Sequence, residues 1–229
     1  MVTVFNRFLL IILVSFSALF AKGLREIAHL PHAQALITEV FKKRGLDPKD
    51  FEFTFYNKKG DNWLYYPGIN GFSFDLWDLE KVNDTMNYPD SLYQLINCDR
   101  FGLKSRREHL LSTQGFIGHE LQHACDRAAI IDLYSSGKNS DELTEELKKL
   151  EARADLFCSS DPEVLRALAR SFKYAYEQVR LLTFSGNHEA CTMYLKKIDP
   201  IHPTFIQRYH YLCAAAAQLE QEGCGSAQR

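Results

Sequence analysis

The chain has 229 residues, 46% hydrophobic and 24% charged, which excludes intrinsic disorder and fibrous repeats and leaves enough apolar mass for a core of its own. Lys and Arg number 27 against 29 Asp and Glu, a net charge of -2; without an excess of positive potential, no nucleic-acid partner is expected. No stretch is rich enough in Pro, Gly and Ser to read as a linker and no internal repeat is visible, so one domain is expected over residues 22–229, behind a leader.

The leader, residues 1–21, carries one charge, Arg7, followed by the apolar run Phe8 to Phe20, interrupted only by Ser15 and Ser17. As a helix that run spans roughly 20 Å, short of the roughly 30 Å hydrocarbon core. The pattern predicts a signal peptide cleaved after Ala21 and an exported protein, periplasmic or secreted, with no stable membrane span. An uncleaved leader acting as an anchor is the alternative. All six cysteines, Cys98, Cys125, Cys158, Cys191, Cys213 and Cys224, follow the leader. An even number in an exported chain permits disulfides, and at least one is expected. No C-x-x-C spacing occurs, so no thiolate metal site is expected.

From Pro31 to Arg44 the residues Ala33, Leu36, Ile37, Val40 and Phe41 recur at helical spacing, with Gly45 as the stop. Phe51, Phe53 and Phe55 alternate with Glu52, Thr54 and Tyr56. Phe72, Phe74 and Leu76 alternate in the same way with Ser73, Asp75 and Trp77. Both patterns have the period of two expected of strands, and Asn62 to Tyr66 offers a third between them, bounded by Lys59-Gly60-Asp61-Asn62 and Pro67-Gly68. Trp63, Tyr65, Tyr66 and Trp77 beside these strands are read as core.

After about Ser91 the chain reads as helix. Ser105-x-x-Glu108 is a capping box that predicts one long helix to about Tyr134, ended at Ser136-Gly137. Asn139-x-x-Glu142 opens a second, striped by Leu143, Leu147, Leu150 and Ala154, with Asp141 to Lys149 as its solvated face. Asp161-Pro162 opens a third that Gly186 ends, and His202-Pro203 a fourth that reaches Gly223. The order predicts an α+β fold dominated by helix, with a small sheet before the long helix.

Within that long helix stands His119-Glu120-Leu121-Gln122-His123, an H-E-x-x-H. Histidines four apart lie on one helical face, so both imidazoles can reach a single ion. Glu120 points about 100° round the helix, near enough to hold a water on the ion without being a ligand. Zinc brings the pKa of such a water toward about 7, where a carboxylate can take its proton as it attacks a carbonyl. The flanking Phe116, Ile117 and Leu121 place the motif on a buried helix, where uncompensated His and Glu would be costly. Glu151 and Asp155, four apart on the next helix, share a face toward the first. Glu151 is the candidate third ligand, and Asp155 the group that fixes a ligand imidazole's tautomer. His29, His32, His109, His188 and His210 have no paired spacing and are assigned no metal.

H-E-L-Q-H followed by E-A-R-A-D resembles the gluzincin metallopeptidases, and in particular the small soluble relatives of the CAAX prenyl endopeptidase, over roughly residues 69–212. There H-E-x-x-H, E-x-x-A-D and a later H-P with a downstream Arg recur, matched here by His202-Pro203 and Arg208. The resemblance implies a zincin-like domain binding one Zn2+ per chain through His119, His123 and Glu151. It implies a zinc endopeptidase of protein or peptide substrates, with Glu120 and His202 catalytic, His202 as oxyanion stabiliser, and Arg208 in substrate binding. It also implies that a sheet edge at residues 69–75 pairs with extended substrate. The spacing and the run Glu151 to Cys158 are similar to the ImmA/IrrE type of regulatory gluzincin as well, and a non-catalytic helical binding module is the alternative from another class.

Overall fold

The computed structural model describes residues 23–56, 63–87, 105–185 and 201–226. The leader, the turn at residues 59–62, Cys98, His188, Cys191 and the helix stop at Gly186 lie outside the described residues. The chain groups into two compact units, Met1–Asn83 and Asp84–Arg229.

In the first unit, α1 spans Pro31–Lys43 and buries Ala33, Leu36, Ile37, Val40 and Phe41, the five residues of the helical stripe. It ends, as its glycine predicts, with Gly45 at φ +69°. No side chain adjacent in sequence caps its start; the His32 N–H donates to Asn83 Oδ1 at 3.1 Å instead. Three strands follow: β1 Glu52–Tyr56, β2 Leu64–Tyr66 and β3 Gly71–Asp75. They lie in the order β1-β3-β2, with β3 parallel to β1 (Phe53 opposite Phe72) and antiparallel to β2 (Tyr65 opposite Phe72). Phe41 of α1 meets Phe53 and Phe72 at ring distances of 5.7 and 5.3 Å, the first pair tilted and the second edge-to-face, so one aromatic cluster joins helix to sheet.

Two sequence expectations fail here. Residues 69–75 do not offer a free sheet edge, because β3 is the central strand and both of its sides are already hydrogen-bonded. The strand also stops at Asp75, and Leu76 begins α2, Leu76–Asn87. The alternation running on to Leu76 and Trp77 hid the buried pair Leu79 and Val82, whose spacing of three is helical.

The second unit is all helix among its described residues: α3 Arg106–Cys125, α4 Arg127–Ser135, α5 Ser140–Leu156, α6 Pro162–Phe184 and α7 Phe205–Ser226. Side-chain caps set the starts of α3, α5 and α6. Ser105 accepts from Glu108 N, Asn139 and Glu142 form a full capping box, and Asp161 accepts from Glu163 N. The expected single helix to Tyr134 is two, interrupted at Asp126 (ψ 9°), whose carboxylate takes the Gln122 side-chain amide at 3.0 Å. The last helix begins at Phe205 rather than at Pro203, because Thr204 and Gln207 cap each other reciprocally. His202 therefore sits in the turn ahead of α7.

Small residues let α3 approach its neighbours. A Cβ on Gly115 would stand 3.1 Å from Leu168 of α6, and one on Gly118 only 2.0 Å from the Cys158 carbonyl oxygen just past α5. Cys158, Leu165, Leu168, Ala169, Phe172, Leu212 and Ala216 form the core that α6 and α7 share. Among the described residues, Cys125, Cys158 and Cys213 form no disulfide. Among the described residues no helix is long and apolar enough to cross a membrane.

Candidate metal centre

The two histidines of α3 and the two acids of α5 meet because α3 and α5 are drawn together at Gly118. One turn apart, His119 and His123 bring their Nε2 atoms within 3.1 Å of each other, the rings nearly perpendicular at 84°. Glu151 reaches across from α5. Its Oε2 lies 3.2 Å from His119 Nε2 and its Oε1 3.3 Å from His123 Nε2. The carboxylate is 7% exposed, and its Oε2 is buried without an aligned hydrogen bond. Donor atoms of His119, His123 and Glu151 all lie within 4.8 Å of one another, and the three could hold a metal ion. A buried carboxylate oxygen lacking an aligned donor, facing two imidazole nitrogens, suits a cation between them.

Asp155 is fully buried, 2.9 Å from His119 Nδ1. An ionised carboxylate only accepts, so Nδ1 carries the proton, and in the neutral ring Nε2 is left with the lone pair a metal needs. Asp155 is itself held from α7. Arg208 Nε donates to Oδ2 at 2.7 Å, Arg208 Nη2 donates to Oδ1, and the Tyr211 hydroxyl donates to Oδ2. Arg208, expected to contact substrate, is 7% exposed with its guanidinium committed to Asp155 and lying 3.8 Å over the Phe172 ring. It supports the ligand set from behind.

His202 presents Nε2 2.9 Å from Glu151 Oε2, and its ring lies nearly parallel to that of His119 at 6.3 Å. Its side chain is 29% exposed, the most open of the group. Glu120 is buried next to His119 and close enough for its charge to act on that ring.

Charges inside this cluster govern one another. Burial presses the His119 imidazole down, but the adjoining carboxylates of Asp155 and Glu151 reverse the balance and raise it to about 9. Burial likewise pulls Glu151 up, and the imidazoles of His119, His123 and His202 outweigh it, holding the carboxyl far below its ordinary value. For Asp155, burial is again opposed, here by Arg208 and His119, which bring it down to about 2. Without a metal, the pocket holds a proton on His119 at neutral pH, and an ion would have to displace it.

Gly118 and Tyr211 were not legible as members of this site. Tyr211 stands three residues after Arg208 and so on the same helical face, but nothing in the sequence indicates that this face meets Asp155. No family model, no curated protein and no solved structure matches the chain.

Proposed function

We propose that the protein is a zinc-dependent endopeptidase of gluzincin type, a zincin-like fold acting on protein or peptide substrates, with His119, His123 and Glu151 binding one zinc ion. The convergence of those three donor sets, with Glu151 Oε2 buried and lacking an aligned donor, carries the reading. Two imidazoles and a carboxylate are a donor set zinc accepts in catalytic sites, where three protein ligands leave a position for water. When bound, zinc supplies electrophilic polarisation of the attacking water and of the scissile carbonyl.

The remaining chemistry belongs to the chain's own side chains. Glu120 accepts the proton from the water as its oxygen bonds to the carbonyl carbon, then returns that proton to the amide nitrogen as the C–N bond breaks. Asp155 keeps His119 in the tautomer that presents Nε2. His202, at the open side, donates to the carbonyl oxygen as negative charge develops there. Arg208 holds Asp155 instead of touching substrate.

One observation favours a second reading. His202 Nε2 is 2.9 Å from Glu151 Oε2, near enough to serve as a fourth protein ligand, and a closed four-ligand site is structural. Glu120→Gln separates the two. Glutamine keeps size and helix propensity but cannot accept the proton. The parent and the variant are both expected to bind one zinc, with cleavage of an unfolded polypeptide roughly 100- to 10,000-fold slower in the variant. A parent that binds zinc but cuts nothing in a broad peptide library would overturn the peptidase and leave the closed structural site in its place.

A further inference from the structure

Asp155 receives more donors than orienting one imidazole requires. Oδ1 faces His119 Nδ1 and Arg208 Nη2; Oδ2 faces Arg208 Nε and the Tyr211 hydroxyl. An ionised carboxylate has about four acceptor positions, and these contacts fill them two to an oxygen. The terminal torsion of an Asp side chain is broad and two-fold, so the plane of the group is set by its partners and not by its own rotamer. Arg208 by itself grips both oxygens in one plane, and His119 draws on Oδ1 alone. The Tyr211 hydroxyl is the contact that balances Oδ2 against that draw.

Packing fixes where the hydroxyl sits. The Tyr211 ring lies against the core cluster that includes Cys158, Leu168 and Leu212, and Arg208 and Tyr211 share a face of α7 at a spacing of three. Burial, then the adjacent Asp155 charge, hold the phenol well above its ordinary pKa, so it stays a donor.

We infer that Tyr211 is a positioning residue of the candidate metal centre, closing the last acceptor position of Asp155 so that the carboxylate keeps its plane and His119 keeps Nε2 aimed at the ion. The inference rests on the metal-site reading above. A tyrosine that only filled space would contribute ring packing, and phenylalanine would do as well. One that positions His119 acts through Asp155, and its effect disappears when Asp155 can no longer accept in the same way.

The test is a double-mutant cycle read by zinc affinity. Zinc ion alone is titrated against a competing chelator into the full chain, for the parent, Tyr211→Phe, Asp155→Asn and the double variant, and the absorption of the Co2+-loaded forms is recorded alongside. Tyr211→Phe should weaken zinc binding about tenfold, at the low end for groups that support a ligand, and should alter the cobalt bands. In the Asp155→Asn background the same change should leave affinity and spectrum nearly unmoved, because the two residues share one interaction. Equal affinity in parent and Tyr211→Phe overturns the inference, and so does an equal loss in both backgrounds, which marks packing alone. Should Tyr211→Phe fail to fold, a fluorotyrosine placed at residue 211 keeps the ring and strengthens the donor; an unchanged cobalt spectrum then overturns the inference. A parent that takes up no zinc overturns the metal-site reading, and this inference with it, whereas a parent that binds while the variant matches it overturns only the role of Tyr211.

Discussion

Gly118, immediately before His119, is the residue on which the meeting of α3 and α5 depends. A methyl group there would stand 2.0 Å from the Cys158 carbonyl oxygen and 2.9 Å from its carbon. Those are backbone atoms just past α5, and they cannot swing aside as a side-chain tip could. Helix propensity alone would favour Gly118→Ala by roughly 1 kcal/mol. Overpacking against the backbone, at the upper end of its usual cost, should reverse that and leave a net loss of about 1–2 kcal/mol. Lower zinc affinity should accompany it, as α5 shifts and takes Glu151 along. Thermal melting of the metal-free protein checks the first part; an unchanged or raised Tm would show that the helices can part without cost. The histidines and acids could be found in the sequence because each pair lies on one helix at a spacing of four. Gly118 could not, since a helical glycine reads locally only as a weakness and its use depends on a carbonyl about forty residues away.

Between α3 and α4, Asp126 breaks the helix and ties two elements together. Its Oδ2 takes the Gln122 amide at 3.0 Å, and its Oδ1 lies 3.3 Å from Arg153 Nη2 on α5. The acid is buried, whereas Arg153 is more than half exposed, so the ion pair itself is screened and the buried hydrogen bond is the stronger part. Asp126→Asn keeps the shape and one acceptor but gives up the charge. It should lower stability by about 1–2 kcal/mol while affecting zinc affinity less than Asp155→Asn does. Coincident denaturant melts for parent and variant would show the contact to be idle. The capped helices were legible because Asn139-x-x-Glu142 and Asp161-Pro162 satisfy the first backbone donors locally. The break at Asp126 carries no Gly or Pro, and its acid meets a side chain in the last turn of α5. The same limit explains α2, where a strand-like alternation overlaps the first residues of a helix, and β3, whose central place depends on a pairing that periodicity does not encode.

Across the whole molecule, two histidines give the metal-free protein opposite responses to pH. His119 is raised from 6.5 to about 9, so its contribution is fully present below pH 6.5 and is lost as pH climbs through 9. Burial lowers His109 from 6.5 to about 4; its contribution is present above 6.5 and is lost as pH falls toward 4. With the carboxylates unchanged above about pH 5, Tm measured in chelator should peak near pH 6.5 and decline on both sides. Zinc should remove the alkaline decline, because the ion replaces the proton on His119. A flat Tm between pH 6.5 and 9 in chelator would contradict the raised His119. The tie from Asp155 to α7 also has a consequence in time. His119, His123 and Glu151 come from helices that are near neighbours in sequence, whereas Asp155 reaches Arg208 and Tyr211 across 53 and 56 residues. Closing those longer loops is the slower step. During synthesis the α3–α5 pair can therefore form while α7 is still within the ribosome, and the support behind the candidate metal centre arrives only when the last helix docks. A chain truncated or stalled before α7 would be left with the ligands but without the support behind them.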